Sequence, residues 1–136
     1  MENRTCNVSQ LFLPRHFYYF YAMEVEATPT KISIDDFRKI ALKVATITAA
    51  EAHPNADKLM VLQIDLGGEQ RQICAGIRNS YTPEELVGKQ IVVVTNLETA
   101  KLRGLESQGM LLAASDDGRV IIMTPEKSVQ AGAQVK

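Results

Sequence analysis

The residues best equipped for chemistry lie in two short segments. His53-Pro54-Asn55-Ala56-Asp57-Lys58 offers an amide, a carboxylate and a cation within four positions. Lys58 carries the charge to take a phosphate as a point contact, and Asn55 has the paired donor and acceptor needed to read a base or sugar edge. The same composition describes an Asx-type turn built from Pro54, Asn55 and Asp57 with Lys58 in solvent, and both readings stand; Asp57 belongs to the turn in either. The second segment runs from Asn96 to Met110 and holds Lys101 and Arg103 two positions apart. In an extended loop both point to one side. Gly104 and Gly109 permit close backbone approach, while Ser107 and Met110 add a hydroxyl and a soft apolar surface against which a base can lie.

Other chemistries lack their parts. Cys6, Cys74, His16 and His53 fall in no C-x-x-C or H-x-x-x-H spacing, so no metal centre is expected. A nucleophile-base pair would have to use His53, which precedes Pro54 in a loop where an imidazole more commonly hydrogen-bonds the turn. The acidic pairs Asp35/Asp36, Glu84/Glu85 and Asp116/Asp117 sit in two helix first turns and one hairpin, each with a structural reason to be there. Neither a G-x-x-x-x-G-K-[ST] loop nor a G-x-G-x-x-G run is present to cradle a nucleotide. The expectation is a chain without catalytic residues and without a cofactor.

Composition narrows the class further. With 136 residues the chain has the length of one domain, too short for the paired domains of a large enzyme. Lys and Arg number 15 against 16 Asp and Glu, a net charge of −1 that excludes a polybasic binder of the histone type and leaves room for a local basic patch. Two cysteines 68 positions apart form no disulfide framework, which points to a reducing, cytoplasmic setting.

Residues 1–30 read differently from the rest. Six of the eight aromatic residues crowd between Phe12 and Tyr21, a segment too short and too polar at its edges to span a membrane and unlike a signal peptide. It reads as a poorly ordered leader ahead of a natural start at Met23, with an aromatic arm for nucleic acid or a partner as the alternative. The acidic, Pro-containing run from Glu24 to Thr30 is a flexible lead-in.

The elements that must position the two segments follow from patterning. Ser33-Ile34-Asp35-Asp36 has the spacing of a capping box and predicts a short helix through Phe37 and Arg38. Leu42, Val44 and Ile47 mark a long first strand ending near Glu51, with a bulge near Ala45 and Thr46. Leu59–Leu66 is the second strand with Leu62, Ile64 and Leu66 facing the core, and Gly67-Gly68 turns it into a third from Arg71 to Ile77. Pro83–Gly88 carries Pro and two acids ahead of a stopping Gly and predicts a one- or two-turn helix. Ile91-Val92-Val93-Val94 is a strand buried on both sides or at a barrel core, and Asp116-Asp117-Gly118 turns a last hairpin between 109–114 and 120–123. About five strands with a helix between the third and fourth is the element order of an all-β OB-fold barrel, although periodicity alone does not separate it from another small barrel.

Several of these segments in order resemble a known family. Ile32-Ser33-Ile34-Asp35-Asp36-Phe37, His53 to Leu59, Gly76-Ile77-Arg78, Pro83 to Lys89, and Ala100 to Gly104 through Ser107-Gln108-Gly109-Met110 are similar to the tRNA-binding domain appended to bacterial methionyl-tRNA synthetases and found as stand-alone tRNA-binding proteins. The resemblance covers about residues 31–136. It implies an OB-fold that binds tRNA by shape and backbone, pairs as a homodimer through the barrel wall and the segment after Met123, and works alone or beside an aminoacyl-tRNA synthetase. By position, Asn55, Lys58, Lys101, Arg103, Ser107 and Met110 match the family's tRNA-contacting motifs, with Arg78 an addition. The catalytic motifs of the synthetase are absent. Export-related chaperones that bind unfolded peptide also resemble this domain, and they are the alternative reading.

Overall fold

The computed structural model describes residues 30–136. The aromatic segment, Cys6, His16 and the lead-in as far as Pro29 lie outside the described residues. Within them a single turn of helix, α1 (Ile34–Phe37), precedes an antiparallel sheet built on one long strand, β1 (Leu42–Ala52). The C-terminal half of β1 pairs with β2 (Met60–Asp65), and its N-terminal half pairs with β4 (Gln90–Val94). The strand order is β3-β2-β1-β4-β7, with β3 spanning Gln70–Ala75 and β7 Met110–Leu111.

One residue makes that division possible. Ile47 stands opposite Ile64 and Ala49 opposite Gln63, so Thr48 is an extra residue in β1, and its hydroxyl donates to the Gln63 carbonyl at 3.1 Å. A bulge bends its strand and increases the local twist. The bend lies two to three residues beyond the expected position, because Ala45 and Ile47 still face the same side and are both buried, so the alternation runs on past Thr46. The result is a sheet curled into an OB-type barrel.

The core follows the expected faces. Leu62, Ile64 and Leu66 are buried, joined by Met60, Ile73, Ile91 and Val93. Val92 is only half-buried, so β4 is covered less completely than its run of β-branched residues suggests. The second helix, α2 (Pro83–Leu86), is one turn long and plugs one end of the barrel with Leu86. Its start is a full capping box: the Thr82 amide donates to the Glu85 carboxylate at 2.9 Å, and the Glu85 amide donates to the Thr82 hydroxyl at 3.4 Å. Burying a leucine contributes about 1.5–3 kcal/mol, more than a four-residue helix supplies by itself.

The sheet closes through side chains and one main-chain bond. Along the edge of β3, the Gln72 amide donates to the side-chain carbonyl of Gln108, the Gln108 amide returns a bond to the Gln72 carbonyl, and the Cys74 amide donates to the Ser107 hydroxyl at 3.0 Å. Arg71, paired with Glu69 at 2.7 Å, donates to the carbonyls of Thr95 and Gln108. These contacts satisfy an edge that would otherwise be left unpaired.

The C-terminal part extends the barrel. β8 (Ala113–Asp116) and β9 (Arg119–Ile122) form the expected hairpin around Asp117-Gly118, held by Ser80 and Tyr81, whose oxygens accept from the Val120 and Ile122 amides. A final short strand, β10 (Gln134–Val135), returns to pair with the start of β1. No helix among the described residues is long and apolar enough to cross a membrane.

Candidate nucleic-acid interface

Two connections bring the proposed contacts to one end of the barrel. The first is the loop between β1 and β2. Its base is closed by the His53 amide donating to the Leu59 carbonyl at 3.1 Å, and its turn by the Asn55 amide donating to His53 Nδ1 at 2.9 Å. The imidazole therefore does the work expected of an Asx side chain. Asn55, Asp57 and Lys58 are left with their side chains in solvent, and the Asx-type turn is not what shapes the loop.

The second connection is ordered where an extended loop was expected. β5 (Ala100–Leu102) and β6 (Leu105–Ser107) pair as a hairpin with Arg103-Gly104 as its two-residue turn. Both turn residues have positive φ, 53° and 93°, the signature of a type I′ turn, whose twist matches that of the flanking strands. Arg103 thus stands at the tip instead of on the same side of an extended chain as Lys101. Lys101 lies opposite Glu106 in the register, so a carboxylate shares its face of the ribbon.

A buried histidine joins the two. His53 is only 2% exposed, and its Nε2 lies 3.0 Å from the Leu102 carbonyl, one residue before the hairpin turn. Asn55 and Lys58 on one loop and Lys101 and Arg103 on the other are all exposed beside this link. Arg78 is half-buried and braces the first loop from below, donating to the Ala56 carbonyl at 3.3 Å while its amide bonds the Lys58 carbonyl.

Ser107 occupies a different position from the other sequence candidates. It is 4% exposed, and its hydroxyl accepts from the Cys74 amide and donates to the Gly109 carbonyl at 3.1 Å. Its hydroxyl is fully engaged within the barrel seam. Met110 is half exposed between two concavities of 220 and 360 Å³ that share Cys74, the smaller also lined by Leu97 and Leu102. Burial pushes the Cys74 thiol up, away from thiolate chemistry. Asn96 is structural: its side chain bonds the Ala41 amide and the Lys39 carbonyl. Among the described residues no three His, Cys, Asp or Glu side chains gather as a metal site.

Comparison with known proteins places this geometry. Residues 42–134 match the family described as a putative tRNA binding domain. The chain belongs to that family. The tRNA-binding-domain segment is 50% identical over 105 residues to the methionine–tRNA ligase of Thermococcus kodakarensis, covering 77% of this chain and 14% of the ligase. It is 53% identical over 111 residues to that of Thermotoga maritima, covering 82% of this chain and 18% of the ligase. The chain thus spans about one-seventh of the length of the first of these relatives. Among solved structures, a MetRS related protein from Pyrococcus horikoshii superposes with a TM-score of 0.74 at 38% identity, covering 79% of this chain and all of that one. The chaperone CsaA of Bacillus anthracis superposes with a TM-score of 0.74 at 29% identity over the same shares. The tRNA-binding-domain fold is therefore common to proteins described in two ways.

Proposed function

We propose that this chain is a tRNA-binding module that recognises tRNA by shape and backbone and has no catalytic role of its own. The observation that carries the reading is the juxtaposition of Lys58, Lys101 and Arg103, exposed on two connections that the His53–Leu102 bond holds together at one end of the barrel. OB-folds commonly bind single-stranded or structured nucleic acid with loops and strands of this kind. Asn55 supplies a polar contact, Met110 an apolar one, and Arg78 and Ser107 set the shape of the loop and the seam. Residues 31–136 constitute the module. It acts in the cytoplasm, as a stand-alone protein or beside an aminoacyl-tRNA synthetase, and it pairs as a homodimer. Exposed Ile121, Met123 and Val129 supply apolar surface on the wall and the C-terminal segment for that pairing.

The test is fluorescence anisotropy of labelled bulk tRNA at several salt concentrations, with double-stranded DNA and an unfolded peptide as competitors. Three to five neutralised phosphates per protomer predict a log–log salt slope of about −2 to −5. Saturable binding with that slope and resistance to DNA competition supports the reading. A second reading, a chaperone of the same fold, draws on the apolar concavities flanking Met110 and on the similarity to CsaA. Peptide binding with no salt-dependent tRNA affinity would select it. Light scattering at micromolar concentration checks the dimer, and a monomer mass would contradict it.

A further inference from the structure

His53 is the most deeply buried polar side chain near the proposed interface, and its two ring nitrogens face opposite demands. The Asn55 amide donates, so Nδ1 must present a lone pair. The Leu102 carbonyl accepts, so Nε2 must carry the proton. The neutral Nε2–H tautomer satisfies both bonds at once, whereas protonating Nδ1 would set one N–H against another. With its own amide bonded to the Leu59 carbonyl, His53 fixes the base of one loop, its turn, and the tip of the hairpin 49 residues further along.

The hairpin needs such an anchor. β5 and β6 are three residues each, and all three residues of β5 are exposed. A short two-stranded ribbon is at best marginally stable by itself. The Gln72 side chain and the Ser107 hydroxyl tie down the β6 side, and on the β5 side the Leu102 carbonyl is held by His53. Lys101 and Arg103 flank that carbonyl in the chain, while Asn55 and Lys58 belong to the loop that His53 closes.

We infer that His53 is a positioning residue for RNA, a tautomer-specific clamp that sets the distance between the Lys58 loop and the Lys101–Arg103 hairpin. The inference rests on the tRNA-binding reading and adds to it that the two cationic segments act as one preformed surface. Phosphates on a folded RNA have fixed separations, so cations already held at one spacing bind without the ordering cost that independent loops incur.

Side-chain reach separates the two bonds of the clamp. In His53→Asn the shorter side chain can close the turn as an Asx residue does but cannot reach Leu102. In His53→Gln the amide nitrogen can reach the Leu102 carbonyl. The full chain should lose about tenfold in tRNA affinity in His53→Asn and recover most of it in His53→Gln, as removal and restoration of one such hydrogen bond implies. Thermal unfolding of each variant confirms that the barrel is intact. Two measurements on protein that retains His53 do not depend on those variants folding. Long-range proton–nitrogen NMR should show His53 protonated at Nε2 only, and Lys58→Ala and Lys101→Ala should be non-additive in tRNA affinity. An Nδ1–H tautomer, additive losses, or a folded His53→Asn that binds tRNA as tightly as the unsubstituted chain overturns the clamp while leaving the tRNA reading in place. Absence of tRNA binding by the unsubstituted chain overturns both.

Discussion

Gly67 and Gly132 pass each other backbone to backbone. A Cβ on Gly67 would overlap the Ala131 carbonyl oxygen, and one on Gly132 would lie 2.5 Å from the Leu66 carbonyl oxygen. Both residues have positive φ, 85° and 91°. The contact docks the β2–β3 turn against the segment entering β10, where the Gly132 amide donates to the Val44 carbonyl at 2.6 Å. Gly132→Ala combines backbone strain with a clash against main chain that cannot rotate away. It should destabilise the barrel by about 2 kcal/mol, read as a lower midpoint in urea with an unchanged m-value. An unshifted midpoint would show that the two turns can separate at no cost.

Arg103 places one of the proposed contact charges on an unfavourable backbone. A residue with a Cβ at φ 53° gives up about 1 kcal/mol relative to one that accepts the left-handed region, and asparagine accepts it better than arginine. Arg103→Asn is expected to hold or raise the melting temperature while weakening tRNA binding and reducing the magnitude of the salt slope by about 0.7–0.9, one phosphate's worth. A lower melting temperature would mean that the guanidinium stabilises the hairpin.

Ser107→Ala should behave in the opposite way. It leaves the buried Cys74 amide without its acceptor, a loss of about 1–3 kcal/mol in stability. The salt slope of tRNA binding should stay unchanged, because no cation is lost. A reduced slope with stability intact would instead make Ser107 part of the phosphate contact.

The α2 cap gives a pH signature. Hydrogen bonds from the Thr82 amide and then its hydroxyl hold the Glu85 carboxyl below the ordinary glutamate range, against an opposing effect of burial and with a lesser contribution from Lys89. Unfolded chains therefore take up this proton first as pH falls. The stabilisation is complete above the ordinary glutamate pKa of about 4.3 and disappears as pH drops through the lower folded value. Urea melts of the unsubstituted chain and Glu85→Gln should differ at neutral pH and converge as the pH falls below the ordinary glutamate range. A gap of constant size would assign the difference to shape and not to charge.

Much of the fold was legible in the sequence because its signals are local. Alternation placed Leu62, Ile64 and Leu66 in the core, and Gly67-Gly68 and Asp117-Gly118 marked two hairpins. The capping box at Thr82 was equally available, since Thr82-Pro83-Glu84-Glu85 has the same spacing that marked Ser33. The β5–β6 hairpin was hidden because Arg103-Gly104 lacks the asparagine or aspartate that usually announces a type I′ turn. The turn bond of His53 was expected and is present, but its link to Leu102 and the bond of Ser107 to Cys74 were hidden for a different reason: those partners are 49 and 33 residues distant, and no local pattern encodes such a contact. Exposed charges show themselves in composition, whereas the buried groups that aim them do so only in three dimensions.

Thr48 is the residue of β1 whose removal would leave the inward-facing pattern intact. Ile47 and Ala50 both turn toward the interior across it, so a chain lacking Thr48 would have an ordinary, unbroken alternation and could keep every pairing with β2. It would lose its bend and the Thr48 hydroxyl's bond to the Gln63 carbonyl. Curvature in this barrel is therefore written in the number of residues and not in their side chains. A one-residue deletion there should yield a well-paired but flatter sheet, drawing β3 away from Ser107 and Gln108 and leaving a barrel that is correctly assembled yet open along its seam.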